Sequence, residues 1–145
     1  MEIIEASIKD IEQVAVLFNE YRMFYAQKSD IESAKVFLEE RITRSESVIF
    51  IAIENDEYVA FTQLYPSFTS VGISRIWLLN DLYVSENYRK KGIGEQLIQH
   101  VFNYSKTTER KKVLLSTDND NFIAQKLYER IGFVRDNCFF YEKVI

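Results

Sequence analysis

The chain has 145 residues, a formal net charge of -4 and a single cysteine. This length predicts one domain, residues 1–145, with a core large enough to fold without a metal or a disulfide. The lone cysteine excludes an internal disulfide framework, and one histidine with one cysteine excludes a zinc site of the usual type.

The same features bound the location and the partners of the protein. The sequence has no apolar run long enough to span a membrane and no signal-peptide pattern at its N-terminus. Together with the lone cysteine, this predicts a cytoplasmic protein. An acidic chain binds nucleic acid poorly and attracts cations, so we expect a small-molecule partner, no nucleic acid and no membrane.

The N-terminal third predicts one strand followed by two helices. Residues 2–8 alternate apolar and polar side chains, which indicates a strand. Asp10 is a candidate N-cap of a first helix, whose apolar face ends at Tyr21. Ser29 or Asp30 is a candidate N-cap of the second helix.

Three strands follow. The continuous apolar run 48–53 is typical of a strand buried on both faces, and 58–65 is the returning strand, ended by Pro66. Residues 73–84 predict a long strand that the polar pair Asn80-Asp81 interrupts. Two buried polar residues in mid-strand are unfavourable without partners, so this pair predicts a bulge, a site, or both.

The last third predicts two more helices and short strands. A helix with a core-facing stripe begins at Ile93, and 113–115 is a short strand. A last helix ends at Gly132 in a left-handed conformation. Residues 133–144 predict one or two closing strands, in which Cys138 packs as a small hydrophobe. The order of elements predicts a mixed α/β domain around one central sheet.

The crossing from the long strand to the third helix carries the first functional signal. It reads Arg89-Lys90-Lys91-Gly92-Ile93-Gly94, and a glycine-bearing loop at a helix N-terminus offers free N–H groups to a phosphate. A Walker loop would need a lysine and a hydroxyl residue after Gly94, and a dinucleotide fingerprint would need a third glycine. Neither is present.

The pattern Arg-x-x-Gly-x-Gly, following the strand residues Leu-Tyr-Val, resembles the pyrophosphate-binding motif of the GCN5-related N-acetyltransferases, the GNAT family. A second segment, Asn121-x-x-Ala124-x-x-x-Tyr128-x-x-x-Gly132-Phe133, resembles another signature of that family. The order of elements is similar over nearly the whole chain. The resemblance implies a splayed, mostly antiparallel sheet flanked by about four helices, with acetyl-CoA as cofactor and CoA as product.

The resemblance also implies which residues bind the cofactor. The backbone of the strand would pair with the pantetheine arm, the loop N–H groups would hold the pyrophosphate, and residues of the second segment would contact the arm. The implied cofactor-binding residues are Leu82, Tyr83, Val84, Arg89, Lys90, Lys91, Gly92, Ile93, Gly94, Asn121, Ala124 and Tyr128.

Acetyl transfer to an amine needs a base, a donor for the developing oxyanion and an acid for the leaving thiolate. The family's usual acid is a tyrosine, which falls on Tyr128; the alternative is a core aromatic on a helical stripe. A strand N–H near Leu82 is the candidate oxyanion donor. Asp81 is the first candidate for the base, while two alternatives stay open: binding the cationic end of the substrate, or satisfying the bulged backbone.

The acceptor pocket has weaker candidates. The connection 21–28 is rich in aromatic and polar side chains, a composition natural for a segment that faces a substrate. A surface or packing role is an equal alternative for every candidate. The residues are Tyr25, Asp30, Gln63, Tyr65 and Asn80.

Together these features predict an N-acetyltransferase that acts by direct attack in a ternary complex. The charge balance favours a small cationic amine, such as a polyamine or an aminoglycoside-like or amino-acid-like molecule, as acceptor. A protein or peptide amine is the alternative substrate, and a non-catalytic CoA-binding regulatory module is the alternative class. The aromatic stretch 138–141 predicts a homodimer through edge pairing.

Overall fold

One five-stranded sheet organises the first part of the chain in the computed structural model, which describes residues 1–145. The strands lie side by side in chain order, antiparallel except for the parallel pair of the fourth and fifth. The mixed α/β class and the mostly antiparallel sheet are therefore confirmed. The strands are β1 (Glu2–Glu5), β2 (Val48–Glu54), β3 (Glu57–Thr69), β4 (Ser74–Val84) and β5 (Val113–Leu114).

Four α-helices accompany the sheet, as expected. They are α1 (Ile11–Phe24), α2 (Ile31–Thr43), α3 (Ile93–Thr107) and α4 (Phe122–Arg130). The chain divides into two compact units, Met1–Leu115 with the sheet and α1 to α3, and Ser116–Ile145 with α4. None of the helices combines the length and the apolar character that a membrane span requires.

The core of the first unit lies on both faces of β2 and β3. On one face α1 and α2 pack over alternate strand residues such as Ile51 and Phe61, both fully buried. Phe50 points to the opposite face, where its ring meets His100 and Tyr104 of α3 with centroids 4.6 and 5.0 Å apart. Because successive side chains of a strand point to opposite faces of the sheet, α1 and α2 cover one face and α3 covers the other.

The two predicted caps take different forms. Asp30 is the N-cap of α2, and its Oδ1 accepts a hydrogen bond from the Ser33 N–H at 3.1 Å. Asp10 occupies the N-cap position of α1, as predicted, but its side chain makes no capping hydrogen bond to that helix. Its carboxylate instead accepts from Ser7 N–H at 2.8 Å and from the Tyr58 hydroxyl at 2.9 Å, which joins the start of α1 to β3.

The prediction that Pro66 ends the returning strand is wrong. β3 continues to Thr69, and Pro66 pairs with Trp77 of β4. The physical reason is that β2 pairs with β3 only as far as Leu64. Beyond that point β3 has a free edge, where the missing N–H of a proline removes no ladder bond.

The predicted interruption of the long strand is confirmed as a bulge. Gln63 pairs with Asp81 while the next β3 residue, Leu64, pairs with Leu79. Asn80 is left without an opposite residue and is exposed. The bulge therefore re-aims the side chains on either side of it.

In the second unit, Gly132 follows α4 with a φ of 108°, a conformation that other residues rarely adopt. The predicted closing strands are absent: 133–145 contains no strand, and residues 134–145 are exposed. Cys138 is likewise exposed rather than packed. Residues 116–145 hold no strand at all, so an extended segment there has no neighbour with which to form a ladder of backbone hydrogen bonds.

Candidate active site

The loop between β4 and α3 has the backbone geometry of an anion-binding turn. Lys90 and Gly92 have φ values of 63° and 78°, both left-handed. The first hydrogen bond into α3 runs from the Gln96 N–H to the Gly92 carbonyl at 3.1 Å, and the N–H groups of Ile93 and Gly94 donate to no backbone acceptor. Such a turn at a positive helix end is a cradle for phosphate oxygens.

Beside this loop, β4 presents an open edge. Its partner β5 pairs only with Trp77 and Leu78. The Ser85 N–H bonds to β3, at the Val59 carbonyl. Alternation along an antiparallel strand therefore turns the backbone groups of Leu82 and Val84 away from β3.

The two exposed backbone positions of this edge differ in their partners. Arg89 Nε donates to the Val84 carbonyl at 3.0 Å, so that acceptor is already satisfied. The backbone of Leu82 has no neighbouring strand on that side. An extended ligand carrying amide groups can therefore pair with β4 at Leu82 and reach the loop with a phosphate group.

Asp81 is the centre of a buried polar cluster at the bulge. The residue is 3% exposed. Its carboxylate accepts from Gln63 Nε2 at 2.6 Å, from Asn80 Nδ2 at 3.1 Å and from the Tyr21 hydroxyl. Burial raises the pKa of this carboxyl above its ordinary value, and the three hydrogen bonds oppose that shift only in part. The group is therefore a stronger base than an exposed aspartate.

Two tyrosines near Asp81 are held in their neutral form. Burial and the Asp81 charge raise the pKa of Tyr21 far above its ordinary value, and they raise the pKa of Tyr65 to about 12. Tyr25 joins this group through an edge-to-face contact with Tyr21, with ring centroids 5.1 Å apart. The result is a cluster of aromatic rings and neutral hydroxyls around one carboxylate.

The structure brings most of the predicted acceptor residues together. Gln63, Asn80 and Tyr65 lie around Asp81, and Tyr25 reaches it through Tyr21. The Oε1 atom of Gln63 is buried without a hydrogen-bond partner. Asp30 is not part of this group: its carboxylate is occupied at the start of α2, where it accepts from the Ser33 N–H and hydroxyl.

The remaining predicted residues lie in the second unit. Asn121 is the N-cap of α4, and its Oδ1 accepts from the Ala124 N–H at 3.3 Å. Tyr128 is half-buried, with its ring edge-to-face against Phe133 at 5.8 Å. α4 has no fully buried residue. Tyr128 is therefore not a fully buried core aromatic, and a role in chemistry stays a prediction.

Sequence reasoning missed Tyr21 as a site residue. The periodicity of α1 correctly assigns Tyr21 to the apolar face, where its ring meets those of Phe61 and Tyr83 at 5.9 and 6.3 Å. Only its hydroxyl reaches Asp81. A tyrosine that packs through its ring and bonds through its tip has the same sequence pattern as a core phenylalanine, so no local signal identifies it.

Comparison with known proteins finds acetyltransferases that are similar to this chain over most of its length. A 44% identical relative, an uncharacterized N-acetyltransferase YhfO of Bacillus subtilis, aligns over 96% of this chain and 93% of its own. The spermine/spermidine N(1)-acetyltransferase of the same organism is 33% identical over 74% of this chain and 72% of its own. A crystal structure of a probable acetyltransferase superposes with a TM-score of 0.92 at 40% identity, covering 100% of this chain and 97% of that one.

The family model described as acetyltransferase (GNAT) matches residues 12–133, which include the α3 loop, the bulge and α4. The chain belongs to the GNAT family of acetyltransferases.

Proposed function

We propose that residues 1–145 form one N-acetyltransferase domain, which transfers the acetyl group of acetyl-CoA to a primary amine by direct attack in a ternary complex. The observation that carries this proposal is the pairing of a phosphate cradle at the start of α3 with the open edge of β4. Family membership supports acetyl-CoA as the donor.

Acetyl-CoA would be held along β4 and at the loop. Within 82–84, the outward-facing backbone of Leu82 and Val84 would pair with the pantetheine arm. The loop 89–94 would hold the pyrophosphate through free N–H groups such as those of Ile93 and Gly94, with Lys90 and Lys91 adding positive charge. Gly94 supports this path. A Cβ built there would meet Val84 at 3.7 Å, an ordinary contact, so the packing of the protein itself does not require glycine. The close approach of a ligand would require glycine at this position.

The chemistry divides among three groups. Asp81 takes the proton of the attacking ammonium, whose ordinary pKa is about 10.4. The neutral amine would attack the thioester carbonyl carbon, with the Leu82 N–H stabilising the oxyanion. As the C–S bond breaks, Tyr128 would give its proton to the leaving thiolate, and the second proton of the amine nitrogen would pass through solvent to restore Tyr128 as the amide forms. Asn121 and Ala124 contact the cofactor's arm.

The acceptor is a small cationic amine. The net charge of -4 attracts cations. The Asp81 carboxylate lies near Tyr21 and Tyr65, and Tyr25 packs against Tyr21, so the three rings provide cation–π partners. Gln63 and Asn80 contribute polar contacts. The relative that acts on spermine and spermidine supports this class. Asp30, at the start of α2, provides a second negative charge for a longer amine.

The test is a CoA-release assay with a panel of amines at pH 7 to 9. The panel contains spermidine, an aminoglycoside, free amino acids and a peptide with a free N-terminus. Release with a small polyvalent amine, and little with the peptide, supports the proposal. Release with the peptide alone would assign a peptide substrate. Tight CoA binding without release for any amine would favour a regulatory module.

We propose a homodimer because the exposed side chains of Phe139, Phe140 and Tyr141, with exposed fractions of 85% to 92%, form an apolar stretch that a second copy would cover. A reducing, cytoplasmic compartment fits the free cysteine, Cys138.

A further inference from the structure

The side chain of Arg89 is held by the ends of two elements. Its Nε donates to the Val84 carbonyl at the end of β4, at 3.0 Å. Its guanidinium carbon lies 5.6 Å from the ring centroid of Tyr83 and 5.6 Å from that of Phe24, the last residue of α1. The first residue of the phosphate loop therefore contacts a helix that lies well away from it in the sequence.

A second set of contacts joins the same two elements. The Tyr83 hydroxyl hydrogen-bonds with both Glu20 and Arg89, and Glu20 Oε2 accepts from the Ser85 hydroxyl at 3.1 Å. Glu20 and Phe24 lie one turn apart on α1 and thus share a face. That face is fixed to the end of β4 by a carboxylate, a phenol and a guanidinium in series.

The last turn of α1 also carries the aromatic residues of the proposed acceptor site. The Tyr25 ring contacts those of Phe24 at 5.2 Å and Tyr21 at 5.1 Å, and the Tyr21 hydroxyl reaches Asp81. A continuous chain of side-chain contacts therefore runs from the phosphate loop through Phe24 and Tyr25 to Tyr21 and the Asp81 carboxylate. These contacts are made by the protein alone.

This last turn has little burial of its own. Phe24 and Tyr25 are 60% and 42% exposed, and Ala26 has a left-handed φ of 60°. Helix ends with few buried contacts open at low free energy, so side-chain contacts from outside decide how well they are ordered. Arg89, Tyr83 and Glu20 supply those contacts here.

We propose that Arg89 is a positioning residue that couples the cofactor loop to the acceptor site, by tying the last turn of α1 to the end of β4. This inference rests on the proposed function. Arg89 begins the loop that forms the pyrophosphate cradle, although its own N–H donates to the Glu86 carbonyl at 3.3 Å. Its side chain orders Tyr25 and Tyr21 through Phe24. Ordering of the loop by the cofactor therefore tightens the acceptor side, so each ligand should raise the affinity of the protein for the other.

Hydrogen exchange with and without CoA tests the coupling without any acceptor. In the wild-type protein, saturating CoA should slow exchange at 92–96 and also at 20–27. In Arg89→Met, CoA should still slow exchange at 92–96 but no longer at 20–27. Phe24→Leu, which changes the contact on α1, should give the same result. Lys91→Gln is the matched control: it should weaken CoA binding but, once saturated, protect both segments.

Two outcomes would overturn the coupling. One is protection of 92–96 alone in the wild-type protein; the other is full protection of both segments in Arg89→Met. Absence of any protection by CoA in the wild-type protein would overturn the proposed function and the coupling together. Both Arg89 and Phe24 are exposed, so unchanged melting temperatures serve as the folding check.

Steady-state kinetics with two donors separates positioning from direct phosphate binding. With spermidine as the probe amine, Arg89→Met should raise the acceptor KM about tenfold, the effect of losing roughly 1.4 kcal/mol. The rise should be equal with acetyl-CoA and with acetyl-pantetheine, which lacks the pyrophosphate. A defect seen only with acetyl-CoA would mean that Arg89 acts as a phosphate ligand instead.

Discussion

Gln63 and Asp81 face each other across β3 and β4 at the bulge, with Gln63 Nε2 2.6 Å from Asp81 Oδ2. Both side chains are almost fully buried, and the Oε1 of the same amide has no partner. An amide with one bonded and one unpartnered end, beside a carboxylate of raised pKa, indicates a site arranged for a ligand rather than for stability.

Replacing Asp81 with Asn tests the base. The change removes the proton acceptor while nearly preserving shape, so turnover should fall by about 10²- to 10⁴-fold. In the wild-type enzyme, activity should decline as pH falls through the raised pKa of Asp81. Asp81→Asn should lose that acidic limb. The measurement is the pH profile of CoA release with spermidine as acceptor.

The matched control for this change is Asp56→Asn, at an exposed position of the β2–β3 turn. Its activity and pH profile should equal those of the wild type. If Asp81→Asn keeps both the rate and the acidic limb, Asp81 is not the base, and its role is to bind the cationic end of the substrate or to hold Gln63, Asn80 and Tyr21 in place.

The raised pKa of Asp81 also predicts how the stability of the fold depends on pH. Since burial raises the folded-state pKa of Asp81 above its unfolded value, the folded state binds the extra proton. The contribution of the Asp81 proton to the free energy of unfolding is fully present below the pKa that Asp81 has in the unfolded state. It is lost as the pH rises through the pKa of Asp81 in the folded state. Melting temperatures between pH 4 and 8 should show this relative loss in the wild type and not in Asp81→Asn. Parallel curves for the two proteins would contradict the raised pKa.

Asp10 should show the opposite pH dependence. Burial acts to raise the pKa of Asp10, but hydrogen bonds from Ser7 and Tyr58 outweigh it and lower that pKa. Its contribution is therefore present above the unfolded pKa and lost as pH falls through the folded one. Tyr58→Phe should cost about 1–2 kcal/mol of unfolding free energy at pH 7, measured by urea titration, and less at pH 3. An equal loss of unfolding free energy at pH 7 and pH 3 would show that the hydrogen bond from Tyr58 does not lower the pKa of Asp10.

Tyr128→Phe separates a catalyst from a CoA sensor. If the phenol protonates the leaving thiolate, the variant should lose about 10²-fold or more in turnover while its affinity for CoA stays within about threefold. Titration calorimetry and the CoA-release assay give the two values. Tyr141→Phe, at a side chain that is 92% exposed, is the control. Unchanged turnover in Tyr128→Phe would remove this tyrosine from the chemistry.

Gly94→Ala distinguishes a ligand constraint from a folding constraint. The added Cβ meets Val84 and Leu82 at ordinary distances of 3.7 and 3.9 Å, so the melting temperature should stay the same or rise slightly. Affinity for acetyl-CoA should nevertheless fall about tenfold because the methyl group occupies space used by the cofactor. An unchanged dissociation constant would show that the cofactor does not pass this residue.

Periodicity and turn chemistry predicted much of this fold. The stripe that begins at Ile93 is buried as expected, and Asn80 forms the bulge that its polarity in an apolar strand indicates. Local sequence preference predicted the wrong structure at two places where strand formation depends on a neighbouring strand. Pro66 is tolerated because β2 has already ended, and the strand-like residues 133–144 form no ladder because their unit contains no partner strand.

The candidate site was predictable to a similar extent. The loop motif and the polar pair Asn80-Asp81 are local signals, so the sequence alone identifies them. The contacts of Tyr21 with Asp81 and of Arg89 with Phe24 join residues far apart in the chain. Such contacts depend on how α1 packs against β4, which no spacing rule determines.

The central claim is that the loop before α3 holds the pyrophosphate of acetyl-CoA. The most direct measurement is a thermal-shift titration of the protein with acetyl-CoA, with free CoA and ATP in parallel. A ligand that binds only the folded state stabilises it by about 2.7 kcal/mol at a hundredfold excess over its dissociation constant. A clear rise with acetyl-CoA and CoA, and little with ATP, is the predicted result. No rise with acetyl-CoA would contradict the claim.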